Sequence, residues 1–251
     1  MKKTKLFFLI FIFIISFLYI PKTSAQDIGS SANINIDWQV LDSYTPLFYE
    51  GKPLPGEESS IKVLASVEIN TPAGTFDSSK LFYSWKVNSF YSPTYSKTGG
   101  DFLIFPLDEF KNKNTIELRV YSDNTLKALL GSKKIDIYPR VSKAFLYKDL
   151  GNTILTYANA INKRFENYAV SKGESFNIIA EPFYFSVKKN NDTNLSYIWS
   201  LNNIPGNNNS TNIFSYNAPV AAYSNFGVGI KVVNKENTSQ SSEEALNFIF
   251  K

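Results

Sequence analysis

One short phrase is written twice in this chain. "LFYSWKVN" runs from Leu81 to Asn88 and "LSYIWSLN" from Leu195 to Asn202, so both read Leu-x-Tyr-x-Trp-x-apolar-Asn. Leu81, Tyr83 and Trp85 recur at every second residue, as do Leu195, Tyr197 and Trp199. That is the spacing of side chains on one face of a β-strand. Two of the three tryptophans in the chain therefore occupy the same place in the same local pattern, which limits the fold to one that houses this strand twice.

The flanking sequence repeats as well. In "SSIKVLASVEI" (59–69), Ile61, Val63, Ala65, Val67 and Ile69 share one face, while Lys62, Ser66 and Glu68 lie on the other. "ESFNIIAEP" (174–182) repeats this with Phe176, Ile178 and Ala180. From Ala65 to Trp85 is 20 residues, and from Ala180 to Trp199 is 19. Downstream, "NTIELRVYS" turns Ile116, Leu118 and Val120 to one side, and "FGVGIKVVN" does the same with Val228, Ile230 and Val232. Trp85 to Val120 is 35 residues, and Trp199 to Val232 is 33. A shorter strand lies between them in each copy, "DFLIFPL" and "NIFSYNAP". Each copy closes with another alternating strand, "KKIDIYP" (133–139) or "EALNFIF" (244–250).

Short, evenly spaced strands separated by Gly, Asn and Pro predict β-sandwiches. A tryptophan on the third strand, spanning two sheets about 10 Å apart, is a mark of immunoglobulin-like folds. The disulfide of antibody domains is excluded because the chain has no cysteine, and their tyrosine corner is missing too. The predicted class is all-β: two tandem immunoglobulin-like β-sandwiches after an N-terminal signal segment. The ordered series "YTPLFYEGKPLP", "IKVLA", "LFYSWKVN", "FLYKDLG", "AEPFYFS", "LSYIWSLN" resembles a group of exported bacterial proteins built from two tandem Ig-like or PKD-like domains. The resemblance extends over the chain downstream of the leader. It implies architecture and export, and it transfers no functional residue.

The N-terminus has the pattern of an export leader. Lys2, Lys3 and Lys5 precede an apolar run from Leu6 to Ile20, then Pro21 and the small residues of "TSA". Cleavage is expected after Ala25. A retained membrane anchor is the other reading, although the run is shorter than the roughly twenty apolar residues that span a bilayer. The leader holds four lysines and no acid, so the 26 basic and 22 acidic residues of the whole chain become 22 and 22 once it is removed. That balance removes the main support for a nucleic-acid or anionic-membrane partner, and membrane contact is expected only if the leader stays as an anchor. The expected division is signal 1–25, first sandwich 26–139 and second sandwich 140–251, with the boundary near Tyr138-Pro139-Arg140-Val141. The stretch "TILTYANAINKRFENYAV" (153–170) is ambiguous: its apolar spacing would suit a short helix, and its β-branched content and neighbouring strands favour an extended path.

With no His and no Cys, the chain cannot carry an imidazole base, a His-containing triad, a thiol nucleophile or a Cys/His metal set. Asp101, Asp108 and Glu109 lack the oxygen density a Ca²⁺ site needs and read as solvated loop charges. No cofactor, metal or catalytic residue is expected. Two aromatic loops are the candidate interaction surface. "DSYTPLFYEGKPLPGEES" (42–59) offers Tyr44, Phe48 and Tyr49 among prolines, and "SFYSPTYSKTGGD" (89–101) offers Tyr91 and Tyr95. Either the aromatics form an exposed platform, for which Tyr is well suited, or Phe48 or Tyr49 plugs the sandwich end while the prolines protect an edge strand; the second is favoured. The second sandwich, with Asn-, Ser- and Gly-rich loops, is expected to expose less apolar area. The functional expectation is a non-enzymatic secreted or cell-surface interaction or adhesion module that meets an extracellular protein or glycan. A structural spacer or subunit of an envelope or appendage assembly is the alternative, and a polysaccharide-active enzyme a remote one.

Overall fold

Alternating apolar residues form strands where the sequence predicts them, and a computed structural model describes residues 32–46, 48–71, 74–75, 77–149, 167–206, 211–220 and 225–251. The leader and residues 150–166, which include 153–166 of the ambiguous stretch, lie outside the described residues; the last four of that stretch, Asn167–Val170, form a strand. The first sandwich comprises β1 (Asn33–Val40), β2 (Ser60–Glu68), β3 (Asn70–Thr71), β4 (Gly74–Thr75), β5 (Phe82–Val87), β6 (Phe90–Tyr91), β7 (Lys97–Thr98), β8 (Phe102–Pro106), β9 (Asn114–Tyr121) and β10 (Leu129–Ile137). The second comprises β11 (Lys143–Lys148), β12 (Asn167–Val170), β13 (Ser175–Phe183), β14 (Leu195–Leu201), β15 (Ile204–Pro205), β16 (Ile213–Asn217), β17 (Phe226–Asn234) and β18 (Ser241–Phe250).

The sheet orders correspond. A three-stranded sheet β1-β2-β8 faces the sheet β10-β9-β5-β6, with β7 also on β5; the second copy has β11-β13-β16 facing β12-β18-β17-β14-β15. These pairings are antiparallel except for β12 on β18, which run parallel. Each sandwich has its own core. Ile61, Val63, Tyr83, Trp85, Leu118 and Val120 are buried in the first, and Ile178, Ala180, Tyr197, Trp199, Ile230 and Val232 in the second. The chain is therefore all-β, with two tandem immunoglobulin-like sandwiches.

The Trp, Tyr and closing Asn of the repeated phrase have structural roles that match. Trp85 is 0 % exposed and its Nε1 donates to the carbonyl of Gly100 at 2.8 Å; Trp199 is 1 % exposed and its Nε1 donates to Thr211 O at 3.0 Å. Both acceptors lie two residues before the next strand. A buried indole N–H needs such a partner, so the bond ties strand β5 to the entry of β8, and β14 to that of β16. The next residue also repeats its bond: Ala65 N donates to Asp101 O and Ala180 N to Asn212 O, both at 2.8 Å. Tyr83 and Tyr197 sit in the cores, and each donates its hydroxyl to a carbonyl upstream, of Ser78 and Asn190 respectively. The closing asparagines begin tight hairpins. Asn88 and Ser89 have φ of 50° and 73°, and Asn202 and Asn203 have 49° and 65°, the left-handed pair that a two-residue hairpin requires and Asn tolerates. Asn88 Oδ1 accepts from Thr115 N at 3.0 Å and Asn202 Oδ1 from Gly227 N at 2.8 Å, so each turn is pinned to the start of the next central strand.

Candidate functional surfaces

The loop between β1 and β2 goes to neither of the places that the sequence suggests. Tyr44, Phe48 and Tyr49 are half-buried against the second sandwich. They form no open platform and plug no end of their own core. The Phe48 ring lies 5.5 Å from that of Tyr147, edge to face, and both Phe48 and Tyr49 approach Phe183, at 6.3 and 6.2 Å. The reason is complementary apolar area: Phe183 of "AEPFYF" meets these rings beside β11, where Phe145 also lies 4.9 Å from it, while Phe185 enters the second core. Rings from the two sandwiches cover one another at a cost in entropy that the prolines of the loop reduce.

Polar groups complete this clasp. Tyr44 N donates to Phe185 O at 3.2 Å, and its hydroxyl donates to Glu181 Oε2 at 2.8 Å. Glu181, 3 % exposed, accepts on its other oxygen from Asn190 Nδ2 at 3.0 Å. Burial pushes the Glu181 carboxyl above its ordinary value, and the Tyr44 and Asn190 hydrogen bonds pull it only part of the way back. Burial, then the neighbouring Glu181 charge, pushes the Tyr44 and Tyr197 phenols far up, so both stay protonated donors. Beside this cluster, Gln240, 0 % exposed, receives Ser186 N at 2.7 Å and donates to Ser186 Oγ and to the carbonyl of Glu57 in the first sandwich. Ser59 and Ser186 share a hydroxyl hydrogen bond at 3.0 Å. Gly56 bridges Arg140 in parallel register, and a Cβ there would sit 1.9 Å from the carbonyl oxygen of Tyr184; only glycine permits that approach.

Tyr91 and Tyr95, the other predicted surface residues, part company. Tyr95 is half-buried, edge-on to Phe102 at 5.7 Å, and packs on the first core. Tyr91 is 52 % exposed at the tip of the β5–β6 hairpin, next to Phe90 at 76 %. Tyr95 and the β1–β2 loop aromatics thus hold the structure together, while Phe90 and Tyr91 face solvent. The corresponding β14–β15 hairpin presents Ile204, 72 % exposed, and Val220 elsewhere on the second sandwich is 79 % exposed. Among the described residues the second sandwich still exposes fewer large apolar side chains, five against eight in the first and none of them aromatic, as the sequence suggests.

A groove missed by sequence reading crosses the outer face of the second large sheet. About 440 Å³ in volume, it is lined by Ile198, Ser200, Gly229, Ala245, Pro205 and Glu243 among others. Ser200, Gly229 and Ala245 are cross-strand neighbours, so three small residues form its floor. The visible signal was Gly227 and Gly229 at the outward positions of "FGVGIKVVN", since glycine inside a strand marks a place of close approach. Among the described residues no cluster of three or more His, Cys, Asp or Glu is placed to hold a metal ion, and no helix is long and apolar enough to cross a membrane.

No protein-family model matches the chain, and no curated protein matches it. Similar solved structures include the fibronectin(III)-like modules of Clostridium thermocellum CbhA, at 11% identity over 87% of this chain and 94% of that one, TM-score 0.26. The ectodomain of mouse nectin-like molecule 4 is 10% identical over 88% of this chain and 65% of that one, TM-score 0.29. Bacteroides ovatus SGBP-B, solved with a mixed-linkage heptasaccharide, is 11% identical over 86% of this chain and 48% of that one, TM-score 0.23. At these identities and scores the likenesses carry no argument about activity, and the immunoglobulin-like assignment rests on the strand order and the matched tryptophans.

Proposed function

We propose that this chain is a non-enzymatic, exported interaction module that meets an extracellular protein or glycan through its hairpin tips. The observation that carries the reading is the pair of equivalent hairpins, each displaying a large apolar side chain: Phe90 with Tyr91 on the first sandwich and Ile204 on the second, the most exposed of them, Phe90, at 76 %. Apolar side chains gathered at a protruding tip mark interaction sites more often than chance exposure does. The absence of His and Cys from the sequence removes the commonest nucleophile and base pairs, which supports the non-enzymatic part. The clasp favours a second reading, a spacer within an envelope or appendage assembly, because a joint filled by Phe48, Tyr49 and Gln240 suits a part of fixed geometry.

The test is a pull-down of residues 26–251 on live cells and on envelope glycans, with wild type beside F90S/Y91S and I204S. Loss of most binding in the first variant, with unchanged circular dichroism, is the expected result. Full binding by both variants would sink the hairpin reading, and no binding by wild type would leave the spacer in its place. Mass spectrometry of the extracellular fraction is expected to give an N-terminus at Gln26; an intact Met1 in the membrane pellet would replace release by tethering.

A further inference from the structure

Glu181 holds an unusual position. It is a carboxyl, 3 % exposed, at the meeting of two sandwiches. Its two hydrogen-bond donors are neutral, and one of them, the Tyr44 hydroxyl, comes from the other sandwich. The titratable groups that face it are Tyr44 from the β1–β2 loop and Tyr197 from β14, with Tyr147 of β11 beside Tyr44 and Asp192 beside Tyr197; no lysine or arginine contributes to its charge balance. Tyr44 and the rings next to it cover the site. Opening the clasp removes that cover and lets water reach the carboxyl.

We propose that Glu181 is a proton-operated latch for the clasp between the two sandwiches, holding it more firmly in acid than at neutral pH. A carboxylate is costly to bury without a cation, whereas the neutral acid is not. The closed junction therefore prefers the acid and the open junction the carboxylate. Protonation need not break the contact, since a neutral carboxyl keeps acceptor capacity and Oε2 can still accept from the Tyr44 hydroxyl. The sign follows from linkage. Glu181 has its raised value in the closed state and returns toward the ordinary 4.5 when water enters, so closing takes up a proton. The extra hold is fully present below the ordinary value and is lost as pH rises through the closed-state value. Between the two values, each pH unit changes the closing equilibrium by about tenfold.

The chain has no cysteine, which makes the test simple. Ser59, 0 % exposed, lies at the junction, and Ser132 is exposed on β10. In the full chain, the maleimide-labelling rate of Ser59→Cys divided by that of Ser132→Cys reads the open fraction, because the ratio cancels the effect of pH on the thiol. The expected result is a ratio that rises from pH 5 to pH 8 in the wild-type background. Glu181→Gln, which keeps the size and removes the charge, should hold the ratio near its acid value throughout. A flat or falling ratio in the wild-type background overturns the proposal, and so does an unchanged rise in Glu181→Gln. Tyr44→Phe, which keeps the ring that packs against the second core, covers the case in which Glu181→Gln fails to fold. It takes one donor from the carboxylate, so the ratio should increase more at pH 8 than at pH 5; an equal increase at both would overturn the latch.

Discussion

The two sandwiches agree inside and differ outside, and the clearest contrast is on the central strand of each large sheet. Trp85 faces Leu118 across β5 and β9, and Trp199 faces Ile230 across β14 and β17, so Glu117 and Gly229 are equivalent. In the first sandwich Lys86, Glu117 and Lys134 form a cross-strand row, and Glu117 holds Arg119 at 2.6 Å and Lys134 at 3.3 Å. In the second, the same row is Ser200, Gly229 and Ala245, and a groove replaces the charges. Inner positions are constrained by a core packed near crystal density. Outer positions are constrained only by water and by whatever binds there. The difference teaches that the repeat preserved what folds and let the outer faces diverge.

The agreement breaks most sharply at the tryptophans. Trp→Ala in a core costs about 3–5 kcal/mol, and each indole here also anchors a backbone carbonyl. Trp85→Ala and Trp199→Ala are expected to cost similar amounts and to unfold different halves. Calorimetry with limited proteolysis checks this: each variant should show an early transition that leaves the opposite sandwich protected. Very unequal losses would mean that the equivalence holds in position only.

The clasp belongs to neither repeat, so a substitution there should separate the halves without melting either. Gly56→Ala drives a Cβ into the Tyr184 carbonyl, a backbone atom that cannot swing away. Overpacking of this kind costs about 1–3 kcal/mol. The expected outcome is faster labelling of a cysteine at position 59, with each sandwich keeping its own midpoint. A lowered midpoint in both would show that the halves fold as one unit.

The hairpins offer a finer comparison. Asn88→Ala and Asn202→Ala both put at positive φ a residue that tolerates the left-handed region less well than Asn, and each loses a bond to the next strand, worth about 1 kcal/mol. Asn88 also donates to Asn114 Oδ1 at 2.8 Å, and Asn114 is 0 % exposed. The Asn88 variant should therefore lose about 1 kcal/mol more. Urea denaturation of the two variants side by side reads the difference.

Legibility in the sequence followed the range of the cause. Strand faces were legible because period 2 is local, and the order of strands because the phrase recurs. The closing Asn stood in plain view, yet its role as a turn residue with two positive φ angles is only apparent once Thr115 and Gly227 are seen across from it. The clasp was hidden for a stronger reason. Tyr44 meets Glu181 across 137 positions, and Gln240 meets Glu57 across 183. Neither partner has a periodic neighbour pointing to the other. The aromatic content of 42–59 signalled burial or binding without saying against what, and the partner proved to be the other half of the chain.

The smallest expected effect is also the test of why the outer faces diverged. Gly229→Ala adds a Cβ that would meet Ser200 Oγ at 2.5 Å, but that hydroxyl can rotate aside. Alanine also loses less entropy than glycine in a strand, which is worth about 0.5–1 kcal/mol. The variant should be neutral or slightly stabilised. Glu117→Gly, the reverse exchange, removes a carboxylate whose value lies below the ordinary 4.5; burial acts against that shift, and Arg119 and Lys134 more than offset it. Its contribution is therefore present above the ordinary value and lost as pH falls through the folded one, so the cost of Glu117→Gly should shrink in acid. Because the side chain of Arg119 is 43 % exposed and that of Lys134 65 %, the whole effect should stay within about 1 kcal/mol. A stabilised Gly229→Ala that keeps its binding would mean that the groove is drift on an unconstrained face. A stabilised variant that loses binding would mean that glycine was retained there against the interest of the fold, and that the second sandwich binds through its sheet as well as its hairpin.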